Sequence, residues 1–134
     1  MPHKGRCLCG QTTIEFASTH TEQTVCHCTD CRETSGSAFS INVLALKKDV
    51  KITGPVKEYN SKLPSRNTVT RLFCSNCGSA ISQLSTLFDD AQVIQTGNFS
   101  DFANVPITTE LFVKDRWTGV APVAGAAQVQ GMSE

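Results

Sequence analysis

Cys26-His27-Cys28-Thr29-Asp30-Cys31 places three thiols in six residues. Side chains two apart on an extended segment share a face, so Cys26 and Cys28 can address one point, and the turn that follows swings Cys31 towards it. Such a point is a metal site. Three thiolates leave a tetrahedral ion one ligand short, and a zinc with an open fourth position is the form that does chemistry. The plainer reading is a closed structural site completed by His27, His20 or His3. On a strand His27 would point away from a metal held by its two neighbours, which makes it a surface residue or a support behind the site. For His3 and His20 solvent exposure is the default.

Four further cysteines come in two pairs. Cys7-Leu8-Cys9-Gly10 offers two ligands, and Cys74-Ser75-Asn76-Cys77-Gly78 offers two more around the tight turn found in zinc ribbons. Gly78 can take positive φ, which lets backbone N–H groups approach the thiolates. Neither pair saturates a zinc alone. The simplest partition is a closed site on Cys7, Cys9, Cys74 and Cys77, with Cys26, Cys28 and Cys31 as the open one. Spacing also permits Cys26 and Cys28 to join Cys74 and Cys77. Seven cysteines is an odd number, and a disulfide framework is the poorer reading in a reducing compartment.

Composition narrows the partners. Twelve basic residues balance twelve acidic ones in 134 residues, so no overall field draws the chain to nucleic acid or to an anionic membrane. The first ten residues are polar and hold two of the cysteines, with no apolar stretch to serve as a signal peptide, and the expected location is the cytoplasm. The longest apolar run, Val43-Leu44-Ala45-Leu46, is far below the ~20 residues that cross a bilayer. A chain of this length makes one domain that buries about two-thirds of its unfolded surface. We expect a zinc-stabilised domain over residues 1–119 and a loosely held tail, rich in Ala, Gly and Gln, over 120–134.

Most of the chain reads as short strands. Ile14 and Phe16 alternate against Thr13 and Glu15 in residues 10–17, and residues 21–26 make a second strand that delivers Cys26. Asp30 can cap one helical turn that Gly36 ends. The apolar stretch 37–46 is the expected central strand. Residues 50–52 and 56–59, either side of Gly54-Pro55, read as a hairpin with one wet face. A loop is expected over 60–67, further strands over 68–73, 79–84, 92–96 and 107–113, and a loop over 97–106. Arg32 directly follows the trio, and its planar fork suits a substrate carboxylate, although a solvated charge is the plainer reading. Trp117, as a large aromatic, is expected to pack in the core.

These motifs together resemble the glutathione-dependent formaldehyde-activating enzyme family, which includes centromere protein V. The likeness runs through Gly5-Arg6-Cys7-Leu8-Cys9-Gly10, Cys26-His27-Cys28-Thr29-Asp30-Cys31-Arg32, Gly36-Ser37-Ala38-Phe39 and Phe73-Cys74-Ser75-Asn76-Cys77-Gly78-Ser79, in order and spacing. It departs at Gly97-Asn98-Phe99-Ser100-Asp101, where the family usually has a Gly-Thr-Leu-Asp-like stretch. The resemblance implies a mostly β domain of several short coiled antiparallel sheets. It also implies two zinc ions, a structural one on Cys7, Cys9, Cys74 and Cys77 and a catalytic one on Cys26, Cys28 and Cys31. The activity it implies is a carbon–sulfur lyase reaction joining glutathione, or a similar thiol, to formaldehyde or another small electrophile, in a protein free to form a homo-oligomer. Two other functions stay open on the sequence: a zinc-stabilised binding module without turnover, and a pathway dehydratase or isomerase on the same scaffold.

Overall fold

A computed structural model describes residues 2–63 and 67–132. Its elements are β1 (His3–Arg6), β2 (Thr13–Phe16), β3 (Gln23–Cys26), α1 (Thr29–Ser35), β4 (Ser40–Leu46), β5 (Val50–Thr53), β6 (Val56–Lys62), β7 (Thr68–Cys74), β8 (Ala80–Ser85), β9 (Ala91–Gln95), β10 (Ile107–Leu111) and β11 (Ala127–Gln128). The architecture is mostly β, as the alternating apolar residues predict. The chain divides into two compact units, Met1–Thr19 with Leu44–Ala103, and His20–Val43 with Asn104–Glu134.

In the first unit β1, β2 and β5 form an antiparallel sheet in which Ile14 lies opposite Gly5 and Ile52. Ile14 and Phe16 are wholly buried, and burying two such side chains contributes about 1.5–3 kcal/mol each. Phe16 meets Phe99 and Phe102 at ring-centroid distances of 4.9 and 6.3 Å. His3 joins this cluster rather than the solvent: it stacks on Phe102 at 4.6 Å, and its Nδ1 lies 2.5 Å from Asp101 Oδ2. The carboxylate satisfies the ring edge, so the imidazole packs as an aromatic.

A second antiparallel set in this unit runs in the order β9-β8-β7-β6. Residues 50–52 and 56–59 are therefore not partners of one another. β5 pairs with β2 and β6 pairs with β7. Gly54 and Pro55 redirect the chain from one sheet to the other: Gly54 has φ +114, and a Cβ there would lie 2.1 Å from the Gln11 carbonyl oxygen. Pro55 then accepts hydrogen bonds from Thr12 Oγ1 and the Ser75 N–H. Local alternation describes each strand but says nothing of its partner. The expected loop at 60–67 is strand as far as Lys62; residues 64–66 lie outside the described residues.

The second unit carries strands in the order β11-β10-β3-β4. β4 runs antiparallel to β3, with Cys26 opposite Ser40. β10 runs parallel to both β3 and β11, an arrangement that needs long connections, here the body of the chain on one side and residues 112–126 on the other. The segment from 120 onward supplies β11, and its Val129 is buried and donates its N–H to the Glu110 carbonyl. Along β4 the buried positions are Ser40, Val43 and Ala45 while Leu44 and Leu46 are exposed.

Candidate metal centre

Two knuckles in the first unit bring Cys7, Cys9, Cys74 and Cys77 together, with their Sγ atoms all within 4.8 Å of one another. Each knuckle is built by the backbone. Gly10 N–H donates to the Cys7 carbonyl and Gly78 N–H to the Cys74 carbonyl, and both glycines take left-handed φ, +78 and +80. The Cys7–Cys9 and Cys9–Cys74 sulfur pairs are 3.5 and 3.7 Å apart. That is far from a disulfide bond of about 2.05 Å and close to the edge of a tetrahedron of thiolates about 2.3 Å from a central zinc. Thr12 N–H donates to Cys7 Sγ, and the Ser79 hydroxyl is 3.2 Å from Cys77 Sγ. Hydrogen bonds from the Ser79 hydroxyl and N–H and from the Cys9 backbone hold the Cys77 thiol down at about 5. A thiolate stabilised by such donors is ready to ligate a cation.

In the second unit Cys26, Cys28 and Cys31 form a separate group, again with all Sγ atoms within 4.8 Å. β3 ends at Cys26, and Cys28 takes extended geometry and caps α1, its Sγ accepting from the Cys31 N–H at 3.3 Å. The cap is thus Cys28 rather than Asp30, and the helix is a full seven residues that Gly36 ends at φ +67. One residue before the helix is the place where an extended side chain can reach back to its amides. Cys26 and Cys31 are buried and Cys28 is half-buried. Contacts with Cys28 and Cys31 push the Cys26 thiol well up. Cys31 is pushed up to about 11: the Cys26 contact acts downward, but Cys28 and burial outweigh it. Three packed thiols cannot all ionise without a cation, and a bound dication inverts that balance. Among the described residues no His, Asp or Glu joins this group as a fourth ligand.

His27 stands behind the trio. Its ring is fully buried and its Nε2 lies 2.7 Å from Glu110 Oε1. Burial would raise the Glu110 carboxyl, but hydrogen bonds from Gln128, His27 and the Val123 N–H, with the Arg116 charge, hold it at about 2. Glu110 carried no signal in the sequence beyond being an acid inside a strand, because its partners lie far along the chain. Arg32 reaches Trp117, its Cζ 5.4 Å from the ring centroid. Trp117 is half exposed rather than in the core.

The described helices include none long and apolar enough to cross a membrane. An uncharacterised lyase of Schizosaccharomyces pombe is 24% identical over 114 residues, 85% of this chain and 80% of its own length. A crystal structure of a Rhodobacter sphaeroides protein shares the fold at a TM-score of 0.58 and 22% identity, over 78% of this chain and 99% of the other. The model of one family matches residues 2–115, a span that contains both knuckles and the trio, and the chain belongs to that family, the glutathione-dependent formaldehyde-activating enzymes.

Proposed function

We propose that this chain is a zinc-dependent carbon–sulfur lyase that interconverts a glutathione-like thiol and a small aldehyde with their S-hydroxyalkyl adduct, formaldehyde being the first aldehyde to test. The observation that carries this reading is the trio: three sulfur ligands gathered on one point with no fourth His, Asp or Glu among the described residues. Family membership and the lyase name of the fission-yeast relative support it. Cys7, Cys9, Cys74 and Cys77 would hold a structural zinc, and Cys26, Cys28 and Cys31 a catalytic one.

In the forward direction the thiol sulfur bonds to the carbonyl carbon, the carbonyl π pair moves to oxygen, and the thiol proton ends on that oxygen. Zinc, when bound, supplies a Lewis acid that lowers the pKa of a thiol entering its open position. The three cysteines would hold the ion as thiolates and would give the centre a net negative charge, so a basic group is needed beside an anionic thiol. Arg32, one residue beyond Cys31, supplies it and can take a substrate carboxylate through its fork. The Cys31 N–H fixes the Cys28 sulfur through the contact at 3.3 Å. What these residues contribute is a held thiolate and a short approach to the carbonyl carbon.

The experiment is exchange NMR between formaldehyde hydrate and S-hydroxymethylglutathione. Addition of the zinc-loaded protein should speed the exchange, and Cys28→Ser should abolish the gain. An unchanged rate at full zinc occupancy removes this substrate pair.

A further inference from the structure

We propose that Glu110 is a positioning residue for the three-cysteine group, acting through His27 and tying the placement of its thiols to residues 116–128. The proposal rests on the trio being a metal site and is independent of which thiol or aldehyde it serves.

His27 occupies the one position between two ligands, and β10 holds it twice. Its N–H donates to the Leu111 carbonyl at 3.0 Å, and its Nε2 meets Glu110 Oε1 at 2.7 Å. Cys26 is itself in register with Leu111. The residue between Cys26 and Cys28 is therefore tied, by backbone and by ring, to two consecutive residues of β10. Phe39 closes the ring from another side, edge-on at 5.6 Å.

Glu110 is in turn immobilised. Its Oε2 accepts from Gln128 Nε2 at 2.7 Å, the Val123 N–H at 2.8 Å and Arg116 Nη2 at 3.1 Å. With His27 on Oε1, four donors fill a carboxylate that is 1% exposed. Burying this charge is expensive, and replacing the whole network, Glu110 together with its partners, by well-packed apolar residues is often neutral or stabilising. What an apolar residue cannot do is orient an imidazole. His27 Nδ1, moreover, is buried with no hydrogen-bond partner among the described residues. A ring chosen for packing alone gains nothing from that orphan nitrogen, whose desolvation costs on the order of 1–3 kcal/mol. Both observations are accounted for by a ring kept for where it places its neighbours, the role that partners behind a ligand play in metal sites.

The test is cobalt(II) loaded in place of the native metal, read through its ligand-field and thiolate charge-transfer absorption. Subtracting the Cys28→Ser spectrum isolates the trio's share. His27→Phe keeps an aromatic ring facing Phe39, slightly larger than imidazole, while removing the anchor. We expect cobalt to bind the trio about 10- to 100-fold more weakly in His27→Phe, with altered bands, while the four-cysteine bands stay as they are. A general loss of stability would weaken both groups, so selectivity for the trio is the signature of positioning. Trio affinity within twofold of the parent, with the same spectrum, overturns the proposal. Gln128→Ala removes one exposed donor from Glu110 without threatening the fold, and covers the case in which His27→Phe does not fold. It should weaken cobalt at the trio about threefold, and an unchanged titration there also overturns the proposal. Failure of cobalt to bind the trio in the parent protein would instead remove the metal reading itself.

Discussion

Replacing Glu110 by Gln keeps the side chain's shape and removes its charge, and the consequence can be worked as a function of pH. The folded carboxyl sits at about 2 against an ordinary 4.5, a depression of about two and a half units. At roughly 1.4 kcal/mol per unit, the ionised form contributes about 3 kcal/mol to the folded state. Because the folded value lies below the unfolded one, that contribution is complete above about pH 5.5 and is lost as the pH falls through 4.5 towards 2. Glu110→Gln should therefore unfold at lower urea than the parent at pH 6, and the gap should narrow by about 3 kcal/mol by pH 2. A constant remainder is expected, since the Gln amide presents a donor to the donors from Arg116, Val123 and Gln128. Acid also strips metal from thiolates, and a variant that loosens the trio would lose it sooner, so metal content is measured at each pH and the gap is compared only where both proteins hold the same number of ions. A gap that is the same at pH 6 and pH 3 would show that Glu110 is not held as a carboxylate and would refute the reasoning.

Metal analysis should find two zinc ions per chain; Cys77→Ser should unfold the protein or lower its midpoint by at least about 10 °C, because a structural zinc contributes on the order of 10 kcal/mol. Cys28→Ser should lower the midpoint by only a few degrees and remove one ion, and equal thermal losses in the two variants would make the trio structural as well. Gly54→Ala should cost on the order of 3 kcal/mol in urea unfolding, since its φ of +114 and the Gln11 carbonyl at 2.1 Å leave no room for a Cβ. Gly119→Ala, where nothing lies within 4 Å, is the control and should stay within about 0.5 kcal/mol of the parent.

How far the sequence could be read depended on how local each signal was. Period-two alternation located β2 through Ile14 and Phe16, and close spacing located the trio, because each pattern is complete within a few residues; spacing left open which pair joins Cys74 and Cys77, and the structure gathers Cys7 and Cys9 with them. Residues 50–59 misled for the opposite reason. Gly54-Pro55 has the chemistry of a hairpin turn, but whether two adjacent strands pair is decided by β2 and β7, which lie far away in the sequence. The buried polar pairs show the same limit. His3 finds Asp101 at a separation of 98 residues and His27 finds Glu110 at 83. An isolated His or Glu reads as exposed until its partner is known, since burial without that partner would be prohibitive. Trp117 is the reverse case, an aromatic that stays half exposed beneath Arg32 instead of filling a core.

The two cysteine groups differ in how much chain each must close. The trio lies within six consecutive residues, whereas Cys9 and Cys74 are 65 apart. By polymer statistics the longer closure costs about 2 kcal/mol more in chain entropy. Synthesis adds to the asymmetry: at about 5–20 residues per second, Cys74 follows Cys31 by roughly 2–9 seconds. For that interval Cys7 and Cys9 are present without their mates, and the nearest sulfur-rich site is the trio. The trio is thus the first of the two groups to have all its thiols on the growing chain, but the β10 contacts of His27 and the partners of Glu110 are made only after Cys74, so its final placement waits for the end of synthesis.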